Sequence, residues 1–264
     1  MTNEILTISD VPELLKIAES ATREAGSYLL ERLGQAKVKH TKGYKDELLD
    51  VDLGSERIIL AQLQKEAPHV GILSEEAGII GRQDQYWTID PVDGSANFQH
   101  GSPLFAISIA LVVNQTTLGG VVYIPTRDEL FTAICGQGAY LNGRRIHVSD
   151  NASLQKALVY AGDLSSARDP QIVEQGLKIF AKLFAHVHRT RILGTTVTEL
   201  AYLACGRADA FVSRTANPWD VEAGRLLLAE SGGKTTVITN NANKPLFIYS
   251  NGLIQEELNL LLIS

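Results

Sequence analysis

Long apolar runs, paired cysteines and basic clusters are all missing from this 264-residue sequence, and each absence removes a class of answer. No stretch approaches the length of a membrane span, and the N-terminus lacks a basic region followed by an apolar core and a cleavage site. The expectation is therefore a soluble, cytoplasmic protein with no membrane partner. The two cysteines, Cys135 and Cys205, lie far apart and match neither a C-x-x-C nor a zinc spacing, so both read as reduced core thiols. Net charge is −6, and no Lys/Arg cluster is interleaved with aromatics. A nucleic-acid polymer is not expected as a partner, although small anions can still be handled through bound cations. No long linker, low-complexity tract or coiled-coil pattern divides the chain.

What is present is ordinary for a globular α/β protein: 45% hydrophobic residues, 20% charged residues and 22 glycines. The length suits one large domain, with approximate lobes 1–150 and 151–264, and supplies ample material for a buried core.

Helical and strand-like patterns alternate. Ser9 and Asp10 offer an N-cap, Pro12 and Glu13 fit a first turn, and Leu14, Leu15, Ile17, Ala18, Ala21, Ala25, Leu29 and Leu30 recur at helical spacing up to Gly34. Residues 42–47 read as an exposed connection. Asp52 precedes a helix over about 55–66 with Ile58, Ile59 and Leu63 on one face, which makes it either a plain cap or a site acid. Residues 71–74 form a buried strand ending in Glu75-Glu76, and 86–89 form another ending at Asp90. Residues 105–113, 118–124 and 129–135 make an antiparallel meander, followed by tight turns at Gly136-Gln137-Gly138 and Asn142-Gly143. Later come a short strand over 157–161, a helix opened by Asp169-Pro170, and a strand across which His186 and His188 alternate as solvated or structural histidines. Gly194, Thr195 and Thr196 then enter a helix, a possible anion seat. A strand over 208–212 and a helix begun by Asn217-Pro218 follow, then two strands around an Asn-rich turn and a last helix from about Leu253.

The chain is organised around Asp90-Pro91-Val92-Asp93-Gly94-Ser95-Ala96-Asn97-Phe98. Pro91 removes a backbone donor and disfavours the helical region for Asp90, so regular pairing should end there. By itself the stretch is either an acidic Asx-type turn or a ligand seat. Asp90 and Asp93 can point at one spot, and Gly94 and Ser95 can present N–H groups to an anion if a helix begins there. Two oxygen acids, the Val92 carbonyl and no nearby His or Cys specify a hard cation such as Mg²⁺ rather than zinc. Glu75-Glu76 at a neighbouring strand end is the usual placement for a site on an α/β sheet.

With Glu75-Glu76, Asp90 to Phe98 and Trp219-Asp220-Val221-Glu222-Ala223-Gly224 on the page, the chain closely resembles the inositol monophosphatase family of Mg²⁺-dependent, lithium-sensitive phosphatases. The resemblance covers nearly the whole length and includes the hairpin around Gly136, Gly138, Ala139, Asn142 and Gly143. It implies a layered αβαβα sandwich like that of inositol monophosphatase and fructose-1,6-bisphosphatase, usually as a homodimer. It also implies two or three Mg²⁺ ions: one held by Glu75, Asp90 and the Val92 carbonyl, a second by Asp90, Asp93 and Asp220, and a weaker third near Asp52 and Glu75 through water. Asp93, Gly94, Ser95, Gly194, Thr195 and Thr196 would seat the phosphate and part of the substrate. Ser74 replaces a glycine, Leu49 replaces a Thr or Ser, and Ser213, followed by Arg214, stands where inositol-specific members carry a Glu that reads sugar hydroxyls. Arg214 would then suit a second anionic group.

The chemistry expected is hydrolysis of a small phosphate monoester, with inositol 1-phosphate first and fructose 1,6-bisphosphate, histidinol phosphate or 3′-phosphoadenosine 5′-phosphate as alternatives. Glu75, Ser95 and Asp52 are the candidate catalytic residues, Glu75 and the Ser95 hydroxyl orienting and deprotonating the attacking water. Rival readings are a metal-independent glycosidase built on two carboxylates and a catalytically silent Mg²⁺-binding regulatory protein.

Overall fold

The computed structural model describes residues 5–43, 46–162, 164, 169–239 and 245–263. The chain begins with α1 (Val11–Leu30), β1 (Val38–Gly43), β2 (Asp46–Leu49) and α2 (Asp50–Glu66). It continues through β3 (Gly71–Ser74), β4 (Gly78–Ile80), β5 (Gln85–Asp93), the short α3 (Ser95–Gln99), β6 (Ala106–Val113), β7 (Thr116–Ile124), β8 (Glu129–Ile134), β9 (Gly138–Leu141) and β10 (Arg144–Arg145). The remainder comprises β11 (Leu158–Gly162), α4 (Pro170–His186), β12 (Arg189–Arg191), α5 (Thr196–Ala204), β13 (Ala210–Ser213), α6 (Pro218–Glu230), β14 (Lys234–Ile238), β15 (Leu246–Ser250) and α7 (Gln255–Ile263). Among the described residues no helix is long and apolar enough to cross a membrane.

Period-2 alternation in the strands sorts the side chains into layers. The first sheet runs β10-β9-β8-β7-β6-β5-β3-β4 and is antiparallel except where β3 lies parallel to β5. Ile107, Ile109 and Leu111 of β6 face one way, onto Leu15, Ala18 and Leu29 of α1 and Ile59 and Leu63 of α2. Ala106 and Ala110 face the other way, onto Leu200 and Ala201 of α5 and Ala223 and Leu227 of α6. The second sheet runs β12-β11-β13-β15-β14. Its Phe211, Phe247 and Tyr249 close the inner helical layer, while Ala210, Val212 and Ile248 turn outward to Ile179 and Leu183 of α4 and Leu258 and Leu262 of α7. The result is the expected αβαβα stack, with α5 and α6 shared between the sheets. Cys135 and Cys205 are free thiols packed, partly buried, against that inner layer. Burial pushes the Cys205 thiol up.

Four local expectations change. β5 does not stop at Asp90: Asp90 pairs with Ser108 and Asp93 with Ala106, so one extra residue is accommodated as a bulge. Pro91 lies inside it, where the ladder is broken and its missing N–H costs nothing. α2 starts at Asp50, which puts Asp52 in the helix's first turn rather than ahead of it; Asp52 Oδ2 accepts the N–H of Leu49, the residue at the N-cap, at 2.8 Å. The supposed connection is an antiparallel hairpin of β1 and β2, with residues 44–45 outside the described chain. His186 closes α4, its Nδ1 2.8 Å from the Lys182 carbonyl, and β12 begins only at Arg189. The Asn-rich turn falls on residues 240–244, which lie outside the described residues.

Helix α6, which carries Asp220, is wedged between a sheet and a helix at two glycines. A Cβ at Gly120 would stand 3.1 Å from Ala223 Cα, and one at Gly224 would stand 2.7 Å from Leu200 Cβ. Gly224→Ala is therefore expected to lower the unfolding free energy by about 1–3 kcal/mol in urea titration, despite alanine's higher helix propensity. Unchanged or increased stability would contradict this packing.

Candidate active site

The parallel pairing of β3 with β5 brings their acids out side by side. Ser74 is the register partner of Ile89, and the Glu75 N–H donates to the Ile89 carbonyl at 3.1 Å. Asp90 is buried, 2% exposed, and its Oδ1 accepts the Val92 N–H at 3.0 Å. Gly94 has φ 91°, and a Cβ there would come to 3.0 Å from the Leu104 carbonyl and 3.2 Å from Thr195 Cβ. Only glycine allows this turn to close so tightly. α3 starts at Ser95, whose hydroxyl donates to the Val92 carbonyl at 2.8 Å and lies 3.3 Å from Asp52 Oδ1.

The second half of the site is tied to this turn by Asn97, whose Nδ2 donates to the Leu104 and Leu193 carbonyls, each at 2.8 Å. That staple places the start of α5 over the motif. Thr195 is the N-cap of α5, and its hydroxyl bonds to Asp93 Oδ2, which also accepts the Val197 N–H at 2.7 Å. Asp93 thus rests on the positive end of a helix. Asp220, in the first turn of α6, accepts from Asn217 Nδ2 at 3.0 Å.

Asp93, Gly194, Thr195, Thr196 and Asp220 line one cleft of about 240 Å³, together with Glu199 and Thr215. Ser213 and Arg214 are not among the described residues lining it. Ser213 is fully buried and its Oγ accepts the Thr215 N–H at 3.0 Å; Arg214 Nη2 reaches Gln175 of α4 at 3.3 Å, and burial lowers the guanidinium's pKa.

Asp90 is the electrostatic centre. Burial, then the charges of Glu75, Asp93 and Asp220, push its carboxyl well above the ordinary carboxylate range, opposed by the Val92 N–H. The donor set therefore fits a hard divalent cation: it offers oxygen atoms alone, and the charges of Glu75, Asp93 and Asp220 that act on Asp90 are all negative. Among the described residues, no group of three or more His, Cys, Asp or Glu side chains stands in metal-holding geometry.

Sequence reasoning passed over Ser55 and Glu56, both buried on α2. The Ser55 hydroxyl donates to the Pro91 carbonyl at 2.8 Å, and Glu56 Oε1 accepts the Ala77 N–H at 2.9 Å. A signal was available. Asp52, Glu56, Ile59 and Leu63 are spaced four, three and four apart, so two acids continue the apolar stripe of one helix face. Glu199, also buried, holds the approach to α5 by accepting the Leu193 N–H at 2.8 Å.

Comparison with known proteins follows this geometry closely. The model of the inositol monophosphatase family matches residues 10–262. The fructose-1,6-bisphosphatase/inositol-1-monophosphatase of Thermotoga maritima is 38% identical over 239 residues, covering 89% of this chain and 90% of that protein. Nus factor SuhB of Pseudomonas aeruginosa is 40% identical over 237 residues, 86% of each chain. The crystal structure of the extragenic suppressor protein suhB from Bartonella henselae superposes with a TM-score of 0.88 at 34% identity, covering 95% of this chain and 98% of that one.

Asp90's folded pKa lies above its unfolded value, so above about pH 4 the folded chain retains a proton that the unfolded chain has released. In buffer stripped of divalent ions, the stability associated with Asp90 is lost as pH rises through that raised pKa. Asp90→Asn, which removes the titrating group, is expected to stabilise the stripped protein at pH 7–8. A destabilised Asn variant in denaturant titration would contradict the electrostatic picture.

Proposed function

This chain belongs to the inositol monophosphatase family, and from that premise we propose that it hydrolyses the phosphate monoester of a small polyol or sugar, with inositol 1-phosphate the leading substrate and Mg²⁺ the cofactor. The observation that carries the reading is the burial of Asp90 among Glu75, Asp93 and Asp220. A phosphate ester is an anion, and a buried acid ringed by three partly buried ones repels it unless cations intervene.

Glu75, Asp90 and the Val92 carbonyl would hold one ion, and Asp90, Asp93 and Asp220 a second, with Asp52 and Glu75 near a weaker third. Bound there, divalent ions supply charge neutralisation, acidify a water and stabilise the oxygens of an in-line displacement. The chain's own groups set the rest. The Ser95 hydroxyl, fixed between the Val92 carbonyl and Asp52, and the Glu75 carboxylate orient the attacking water. Glu75 takes its proton. The water oxygen forms the new P–O bond as the ester P–O bond breaks, and the alcohol oxygen leaves with the electron pair and takes up a proton. Thr195, Thr196, Thr215 and the turn at Gly194 line the cleft that would take the ester. No side chain needs to carry the phosphoryl group.

The panel that tests substrate choice is inositol 1-phosphate, fructose 1,6-bisphosphate, histidinol phosphate and 3′-phosphoadenosine 5′-phosphate. Phosphate release is expected to vanish in EDTA, return with Mg²⁺ and fall on adding lithium; release that persists in chelator contradicts the reading. Asp93→Asn is expected to reduce kcat by about a hundredfold or more, and a loss below about threefold contradicts direct participation of Asp93.

A further inference from the structure

Helix α2 turns three buried polar side chains toward the carboxylates, and each grips a different segment of the site. Asp52 bonds the Leu49 N–H and faces the Ser95 hydroxyl. Ser55 holds the Pro91 carbonyl inside the β5 bulge. Glu56, one turn beyond Asp52, receives three donors on a single oxygen: the Ser74 hydroxyl, the Ala77 N–H at 2.9 Å and the Glu76 N–H at 3.3 Å. Those three donors come from both sides of Glu75. The turn between β3 and β4 is therefore wrapped around the Glu56 carboxylate, with Glu75 displayed from it.

We infer that Glu56 is a positioning residue: it fixes the Glu75-bearing turn for cation binding and is not itself a ligand. The inference rests on the metal-dependent reading of the site. Glu56 Oε1 is occupied by three donors on the turn, and losing a buried acceptor would leave those donors unsatisfied. The anchor is rigid because α2 is fixed by Ile59 and Leu63 in the core, on the same stripe as Glu56. One helix thus sets the mutual placement of Ser95, the Asp90–Asp93 bulge and Glu75.

Calorimetric titration of the full chain with Mn²⁺ tests this without reference to turnover. Glu56→Ala is expected to raise the Mn²⁺ Kd by about 10–100-fold, as loss of groups that orient ligands commonly does. At saturating metal the KM for the phosphate ester should move less than about threefold, because the substrate side of the cleft is untouched. Glu56→Gln keeps an Oε1 acceptor and is expected to recover affinity to within about threefold of wild type. An Ala variant that binds Mn²⁺ like wild type, or a Gln variant as weak as Ala, overturns the inference. Should Glu56→Ala fail to fold, Ser74→Ala removes one of the three donors: a Kd raised severalfold supports the role and an unchanged Kd overturns it. If wild type itself binds no Mn²⁺, the metal-dependent reading fails first, which separates the two outcomes.

Discussion

Like charges brought together away from water are the constraint on which the rest of this molecule depends. Two carboxylates about 4 Å apart repel by roughly 4 kcal/mol at an effective dielectric near 20, and Asp90 feels Glu75, Asp93 and Asp220 while buried. The fold meets that cost with backbone. Asp52, Asp93 and Asp220 each stand at the N-terminus of a different helix, α2, α5 and α6, where the end of the helix dipole favours negative charge. Three separate elements therefore deliver an acid to one region while partly offsetting its charge.

Holding those helix ends in register is the work of the layers. α6 approaches β7 at Gly120 and α5 at Gly224, so its first turn has little freedom relative to the bulge in β5. α5 is tied to the same bulge through Asn97 and through Asp93 itself. On the opposite side α2 grips the motif with Asp52 and Ser55 and the Glu75 turn with Glu56. The polar contacts set direction, and the apolar layers behind them set position. Catalysis by positioning and electrostatics needs both.

Much of this was legible in the residues. The meander, the two acid-bearing strand ends and the helices after Gly194 and Asn217 follow from periodicity, turn chemistry and caps, all of which are local. What stayed hidden was mostly non-local. The bulge that carries Pro91 exists because β6 pairs on both sides of it, and the hairpin of β1 and β2 is made by pairing rather than by apolar alternation. The first turn of α2 reaches back to Asp50 because Asp52 satisfies the Leu49 N–H, which a search beginning at the apolar face misses. That the Ser213 hydroxyl engages Thr215 and the Arg214 guanidinium engages Gln175 is likewise decided by packing. Glu56 was overlooked because an acid on a core-facing stripe looks like an irregularity until its three donors are seen.

The most direct test of the central claim is anomalous diffraction from crystals of the full chain soaked in Mn²⁺, recorded at the manganese edge. The account predicts anomalous density within bonding distance of an Asp90 carboxylate oxygen and of at least one among Glu75, Asp93 and Asp220, absent from Asp90→Asn crystals. Density confined to other parts of the surface, or none at a concentration that saturates phosphate release, would contradict it.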